Sequence, residues 1–200
     1  MKRMTETEAQ SPEAELREWR KAERKRLIAQ RMTLRAEERS ALTERIAERL
    51  EALIGDPAGL VVSAYWPFRG EPDLKPMLAR LRERGAISAL PVVVQKAHPL
   101  EFRAWKSGDK LDRGVWNIPI PANGEVVIPD VAIAPVVGFD RQCYRLGYGG
   151  GFFDRTMASL GGKPRLYGVG YVEQEIPTIR PQQYDVPMLA VCTESETILP

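Results

Sequence analysis

The chain is poor in the residues that build several common kinds of site. Its 200 residues include two cysteines, Cys143 and Cys192. Two thiols cannot form a disulfide framework, and no Cys/His spacing suits zinc. His98 is the only histidine. A Ser-His-Asp triad is open to this chain only through His98, and its place before Pro99, in an expected turn, argues against that. No stretch of about 18 consecutive apolar residues occurs, so no membrane span is expected. The formal net charge is +2, too little to draw the whole molecule to nucleic acid or a membrane. Met1 to Glu6 lacks the apolar core of a secretory signal, so the cytoplasm is the expected compartment. There is no internal repeat and no low-complexity segment.

What remains is an ordinary soluble composition, 44% hydrophobic and 28% charged. The length suits one domain with a substantial core, expected over residues 11–200 behind a disordered tail at residues 1–10. Ser11-Pro12 reads as an N-cap followed by proline at the first helical position, opening a long charged helix to about Met32. Leu42, Ile46, Leu50 and Leu53 give a second helix, ended by Gly55 and Pro57. Leu60 to Trp66 reads as a buried strand. Asp73 is expected to cap a third helix with Leu74, Met77, Leu78 and Leu81 on one face. Further strands are predicted at Ala86–Val94, Leu100–Trp105, Val131–Pro135, Arg165–Tyr171 and Met188–Thr193, with a helix from about Gly150 to Leu160. Asp109 to Gly124 reads as a connection. Strands alternating with helices predict an α/β fold of three layers, Rossmann-like, with a mostly parallel sheet.

The most informative stretch is Arg145-Leu146-Gly147-Tyr148-Gly149-Gly150-Gly151-Phe152-Phe153-Asp154-Arg155. Four glycines within five positions allow a backbone to wrap closely around a ligand. Successive free N–H groups in such a loop, with a helix start behind them, make an anion site. The loop is not a Walker A sequence, because no Gly-Lys-Ser/Thr follows. Nor is it the dinucleotide fingerprint, because its acid comes directly after the glycines. It sits at the end of a predicted strand, where open α/β sheets bind ligands. Arg145 suits a phosphate, and Asp154 is a hard oxygen ligand of the kind magnesium takes beside phosphates.

The first helix is basic, with Arg17, Arg20, Lys21, Arg24, Lys25, Arg26 and Arg31. Arg17, Arg20, Lys21 and Arg24 can share a face. The run admits three readings: a solvated surface, an RNA-contacting helix, or a source of phosphate clamps for the loop.

Four blocks resemble the 5-formyltetrahydrofolate cyclo-ligase (methenyltetrahydrofolate synthetase) family, covering about residues 17 to 195. The glycine stretch resembles the family's Arg-x-Gly-x-Gly-x-Gly-Tyr-Tyr-Asp signature. Trp66-Pro67-Phe68-Arg69-Gly70-Glu71 resembles its strand-end segment with a folate-contacting glutamate. Trp116-Asn117-Ile118-Pro119-Ile120-Pro121 is similar to its Ile-x-x-Pro linker, and Arg20-Lys21-Ala22-Glu23-Arg24 falls where the family has Lys-x-x-Leu-Arg. The resemblance implies an ATP-dependent, Mg²⁺-assisted closure of 5-formyltetrahydrofolate to its 5,10-methenyl form. It implies ATP contacts from Arg20, Lys21 and Arg24 on the helix and from the run Arg145, Leu146, Gly147, Tyr148, Gly149, Gly150, Gly151, Phe152 and Phe153. It implies a folate site walled by Trp66, Glu71, Tyr148, Phe152 and the three glycines 149 to 151, with Mg²⁺ on Asp154 and Asp185. Arg145 and Phe153 take the catalytic positions. The implied partner is the folate alone: no membrane, no nucleic acid, and a monomer.

The chain departs from the family pattern at Phe152 and Phe153, which stand where the signature has tyrosines, and at Glu23, which replaces leucine. Stacking against a flat ring survives the first change, and a phenolic hydroxyl does not. Two other functions stay open at this point: a divergent ATP-binding member acting on another substrate, and an RNA-binding module using the basic helix.

Overall fold

A computed structural model describes residues 11–200; the predicted tail at residues 1–10 lies outside them. The elements run α1 (Pro12–Arg31), α2 (Ala36–Ile54), β1 (Val61–Ser63), α3 (Lys75–Glu83), β2 (Ile87–Val92), β3 (Glu101–Ala104), β4 (Leu111–Arg113), β5 (Pro119–Pro121) and β6 (Val126–Val127). They continue with β7 (Val131–Pro135), β8 (Gly138–Phe139), β9 (Arg145–Leu146), α4 (Phe152–Ser159), β10 (Arg165–Val169), β11 (Ala190–Cys192) and β12 (Thr197–Ile198).

Eight strands form one sheet in the order β12-β11-β10-β7-β1-β2-β3-β6. The five strands from β11 to β2 are parallel, and β12 and β3 join them antiparallel. Along β7 the side chains alternate between two cores, as strand geometry requires. Val131 and Ile133 pack with Ile46 and Leu50 of α2 and Leu78 of α3. Ala132 and Ala134 face the other way, toward Met157 of α4. Helices therefore cover both faces, as the predicted three layers require.

The connections leave β1 and β7 in opposite directions. From β1 the chain crosses by α3 to β2, and from β7 it crosses by α4 to β10. These two strands are neighbours, so the carboxyl ends of β1 and β7 mark the switch point where such sheets leave a crevice.

Helix α1 is not part of either layer. Its cap is as predicted: the Ser11 side chain accepts from the Ala14 N–H, with Pro12 in the first turn. Its Leu27 packs with Val137, Leu146 and Ile176 at the crevice end of the sheet. Gly138 makes that approach possible, because a Cβ there would stand 2.6 Å from Leu27 Cδ1.

Several predicted elements differ. The strand expected over Leu60–Trp66 stops at Ser63; the chain then turns through Arg69 and Gly70, with φ of 48° and 76°. Asp73 stands one residue before the N-cap, Leu74, and its Oδ1 accepts from the Lys75 N–H. The helix expected from Gly150 starts at Phe152, behind Gly151 in the left-handed region at φ 60°. The strands expected to reach Val94, Tyr171 and Thr193 end at Val92, Val169 and Cys192. The Asp109–Gly124 connection contains the hairpin of β4 and β5.

Candidate functional site

The crevice is a cavity of about 1420 Å³. Its lining comes from the segment after β1 (Trp66, Phe68, Glu71), the glycine stretch (residues 145–155), α1 (Arg20, Lys21, Arg24), the β4–β5 hairpin (Trp116, Ile118, Ile120) and the segment with Asp185. Every residue that the sequence singled out for ATP, folate or metal lies on this one wall.

The charged part of the wall is internally paired. Arg145 is buried; its Nη2 donates to Asp154 Oδ1 at 2.7 Å and its Nη1 to the Val186 carbonyl at 2.9 Å. Arg20 Nη2 donates to Asp185 Oδ2 at 2.6 Å and to the Arg180 carbonyl at 2.8 Å. Arg24 Nε donates to the Gly147 carbonyl at 2.7 Å, so a side chain of α1 holds the glycine loop directly. Burial lowers the pKa of both Arg145 and Arg24 from the ordinary arginine value. Lys21 differs: it pairs with Glu18 at 3.4 Å and its side chain is 75% exposed. The face expected to join Arg17, Arg20, Lys21 and Arg24 is thus split. Arg20 and Arg24 turn inward, while Arg17 and Lys21 stand exposed at the rim.

The loop packs tightly on the helix that follows. A Cβ on Gly150 would stand 2.6 Å from the Phe152 ring, and one on Gly151 would stand 2.9 Å from Arg155 Nη1. Arg155 donates to the Gly150 carbonyl and lies 5.5 Å from the Phe152 ring centre. Phe153 presents its ring to Arg145 at 5.7 Å.

The aromatic part of the wall surrounds one carboxyl group. Glu71 is buried; its Oε1 accepts from the Tyr148 hydroxyl at 2.8 Å and its Oε2 from the Phe68 N–H at 2.9 Å. Phe68 and Trp116 flank the Tyr148 ring at 5.9 and 6.2 Å. Burial pushes the Glu71 carboxyl up to about 7, against the pull of Arg31 and the Tyr148 hydrogen bond. Trp66 packs edge-on against Trp105 at 5.9 Å and carries Lys75 Nζ over its ring at 4.2 Å.

Two features escaped the sequence reading. Arg31, noted only as part of a basic run, is fully buried behind Tyr148 and Glu71. The spacing Arg20, Arg24, Leu27, Arg31 marks that inward face and is the signal for it. Trp116 was one letter of a motif; it stands at the cavity mouth, 54% exposed, with φ of 55°.

Among the described residues no group of three or more His, Cys, Asp or Glu side chains is placed to hold a metal ion. Magnesium needs no such cage, since it takes one or two carboxylates and fills the rest of its octahedron with water and substrate phosphates. Asp154 and Asp185 fit that demand. Each uses one oxygen in hydrogen bonds to protein and leaves the other out of them.

Fold and site define an α/β protein with a switch-point cleft lined by a glycine loop and by arginines. The chain belongs to the 5-formyltetrahydrofolate cyclo-ligase family, whose model matches residues 16–194. It is 30% identical over 188 residues to 5-formyltetrahydrofolate cyclo-ligase of Mycolicibacterium smegmatis, covering 86% of this chain and 95% of that one. To the Escherichia coli K12 protein of the same name it is 29% identical over 178 residues, covering 83% and 95%. The solved structure of Aquifex aeolicus 5,10-methenyltetrahydrofolate synthetase superposes with a TM-score of 0.77 at 28% identity, over 90% of this chain and 92% of that one.

Proposed function

We propose that the protein closes 5-formyltetrahydrofolate to 5,10-methenyltetrahydrofolate at the expense of ATP, releasing ADP and phosphate. The observation that carries this reading is one cavity holding both an arginine-backed glycine loop and a buried carboxyl in an aromatic wall. The two halves match the two halves of the chemistry. The formyl oxygen is a poor leaving group. Transfer of the γ-phosphoryl group to it, with ADP departing, makes it a good one. N10 then attacks the activated carbon, the phosphate leaves with its oxygen, and N10 gives up its proton as the ring closes.

The protein's work in phosphoryl transfer is alignment and charge neutralisation. Backbone N–H groups of residues 147–151 cradle the phosphates, and α4 begins directly behind them. Arg145 supplies a positive charge held by Asp154 and Val186, so it needs little reorganisation when negative charge develops. Arg20 and Arg24 add charge from α1, and Lys21 contributes from the rim. Asp154 and Asp185 would hold Mg²⁺, which would supply further neutralisation of the phosphate oxygens. Phe153 offers a ring that excludes water and no proton. Glu71 accepts from the pterin N–H groups, and Trp66, Tyr148 and Phe152 wall the ring.

The inward use of Arg20 and Arg24 favours the clamp reading of the basic helix over an RNA-contacting surface. The test is the near-ultraviolet absorbance of purified protein with 5-formyltetrahydrofolate, ATP and Mg²⁺. Growth of the methenyl product's band that requires both ATP and the folate is expected. A flat trace from protein that binds ATP overturns the reading and favours a divergent member acting on another substrate.

A further inference from the structure

We infer that Tyr148 and Arg31 are positioning residues that keep the Glu71 carboxyl a hydrogen-bond acceptor for the ligand's ring N–H groups. The inference deepens the folate reading above and rests on it. It starts from the donors of Arg31, which enters from the last turn of α1 with its side chain completely buried. Nε donates to the Arg69 carbonyl at 2.9 Å and Nη1 to the Val136 carbonyl at 3.0 Å. Two backbone anchors on different segments fix the plane of the guanidinium. Nη2 is then aimed at the Tyr148 hydroxyl, 2.7 Å away. An arginine can only donate, so the hydroxyl accepts there and has its own proton left to give. It gives that proton to Glu71 Oε1, at 2.8 Å.

The direction of the whole chain is therefore set by the one member that cannot reverse. Glu71 Oε2 is fixed as an acceptor too, by the Phe68 N–H. Arg31 itself stands 3.8 Å from Glu71 Oε1, so the hydroxyl is the direct contact and the cation acts from behind it. The titratable groups facing Glu71 are Arg31 from α1, Tyr148 from the glycine loop and Tyr65 from the segment after β1. The Tyr65 hydroxyl donates to the Pro72 carbonyl at 2.9 Å and so gives Glu71 nothing. Among the described side chains, Arg31 and Tyr148 oppose the desolvation of this carboxyl, beside the Phe68 N–H. Tyr148 thus has a task apart from the phosphate cradle formed by the backbone on either side of it.

The test compares wild type with Tyr148→Phe and Arg31→Lys. Glutamate labelled with ¹³C at the carboxyl carbon reports the Glu71 titration, its resonance identified by loss in Glu71→Gln. Calorimetry measures 5-formyltetrahydrofolate binding between pH 6 and 9, and melting curves show that each variant folds. Tyr148→Phe is expected to raise the Glu71 midpoint by about one unit, as loss of one charge-assisted hydrogen bond implies. Folate affinity then falls about fivefold at pH 7, following the ionised fraction, and recovers at alkaline pH. Arg31→Lys shifts both in the same direction if it folds. A midpoint that stays in place in Tyr148→Phe, or an affinity loss equal at every pH, overturns the inference and leaves Tyr148 a packing residue. If the wild type binds no 5-formyltetrahydrofolate at any pH, the folate reading fails instead. The carboxyl titration then decides on the Arg31–Tyr148 chain by itself.

Discussion

The two ends of the cavity handle charge in opposite ways. At the proposed phosphate end each carboxylate sits against an arginine, Asp154 on Arg145 at 2.7 Å and Asp185 on Arg20 at 2.6 Å. At the other end Glu71 meets a neutral hydroxyl first and a cation only at 3.8 Å. The first arrangement gives each acid a partner of opposite charge already in place. The second holds a carboxyl near the balance between its two forms. Under the function proposed above, neutralising a polyanion and reading a neutral ring's N–H groups call for these different solutions.

The largest effect expected from breaking this contrast is at the phosphate end. Arg145→Ala removes the buried charge that the proposed mechanism aims at the transferring group, and leaves Asp154 without its partner. Turnover should fall about 10³-fold, about 4 kcal/mol of barrier, as for loss of other preorganised electrostatic contacts. Binding of 5-formyltetrahydrofolate should persist, because Arg145 makes none of the Glu71 contacts. Steady-state kinetics beside calorimetry of the folate check both halves; equal loss in the two would erase the distinction between the ends.

The carboxyl end makes the second prediction, in stability. Glu71 moves from an ordinary 4.5 in the unfolded chain to about 7 in the fold. The folded state therefore binds the proton more tightly, and stability falls as pH rises from about 5 to about 7. Below the unfolded value the contribution is fully present; above 7 it is gone. By linkage the swing is on the order of 3 kcal/mol. Denaturant midpoints of the ligand-free protein at pH 5 and pH 8 measure it, and Glu71→Gln should remove this part of the slope. A slope that survives in Glu71→Gln would place its origin elsewhere.

Helix α1 serves both ends, with Arg20 and Arg24 on one and Arg31 on the other. Gly138→Ala tests whether they depend on a single seat. The new Cβ would meet Leu27 Cδ1 at 2.6 Å and push the helix outward. Overpacking of this kind costs about 1–3 kcal/mol. Thermal melting should show that loss, and affinities for ATP and for the folate should weaken together. Weakening of only one ligand would mean that the helix is anchored separately at each end.

Much of this architecture is legible in the sequence because it follows from local rules. Val131–Pro135 reads as a strand and is one, and Ser11-Pro12 starts α1 as expected. The glycine stretch marks the cavity because only a close-packed loop needs so many residues without a side chain. The short pairings are not legible. Strands β8, β9 and β12 are two residues each, and such pairs form only because the surrounding fold closes on them. The states of charge are equally hidden. Nothing near Glu71 in the chain announces that burial will push its carboxyl up, or that Arg31 and Tyr148, 40 residues before it and 77 after it, will oppose that push. The sequence reading set Asp154 and Asp185 aside for metal and the arginines for phosphate, and the fold pairs them with each other.

The smallest expected effect separates two residues that the sequence placed together. Lys21 and Arg24 lie one turn apart on α1 in the same basic run. Arg24 is half-buried and holds the Gly147 carbonyl at 2.7 Å, while the Lys21 ammonium sits in solvent beside Glu18. An exposed ion pair is worth about 0–1 kcal/mol, and the same screening applies to an exposed charge acting on a phosphate. Lys21→Ala should therefore weaken ATP binding no more than about fivefold, and the loss should vanish at high salt. Arg24→Ala should cost more and keep its effect in salt, because it also frees the loop proposed as the cradle. ATP titrations of both variants at low and high ionic strength check this. A large, salt-resistant loss in Lys21→Ala would mean that its side chain folds into the cavity when the nucleotide binds. The rim of α1 would then belong to the charged end of the site as fully as Arg145 does.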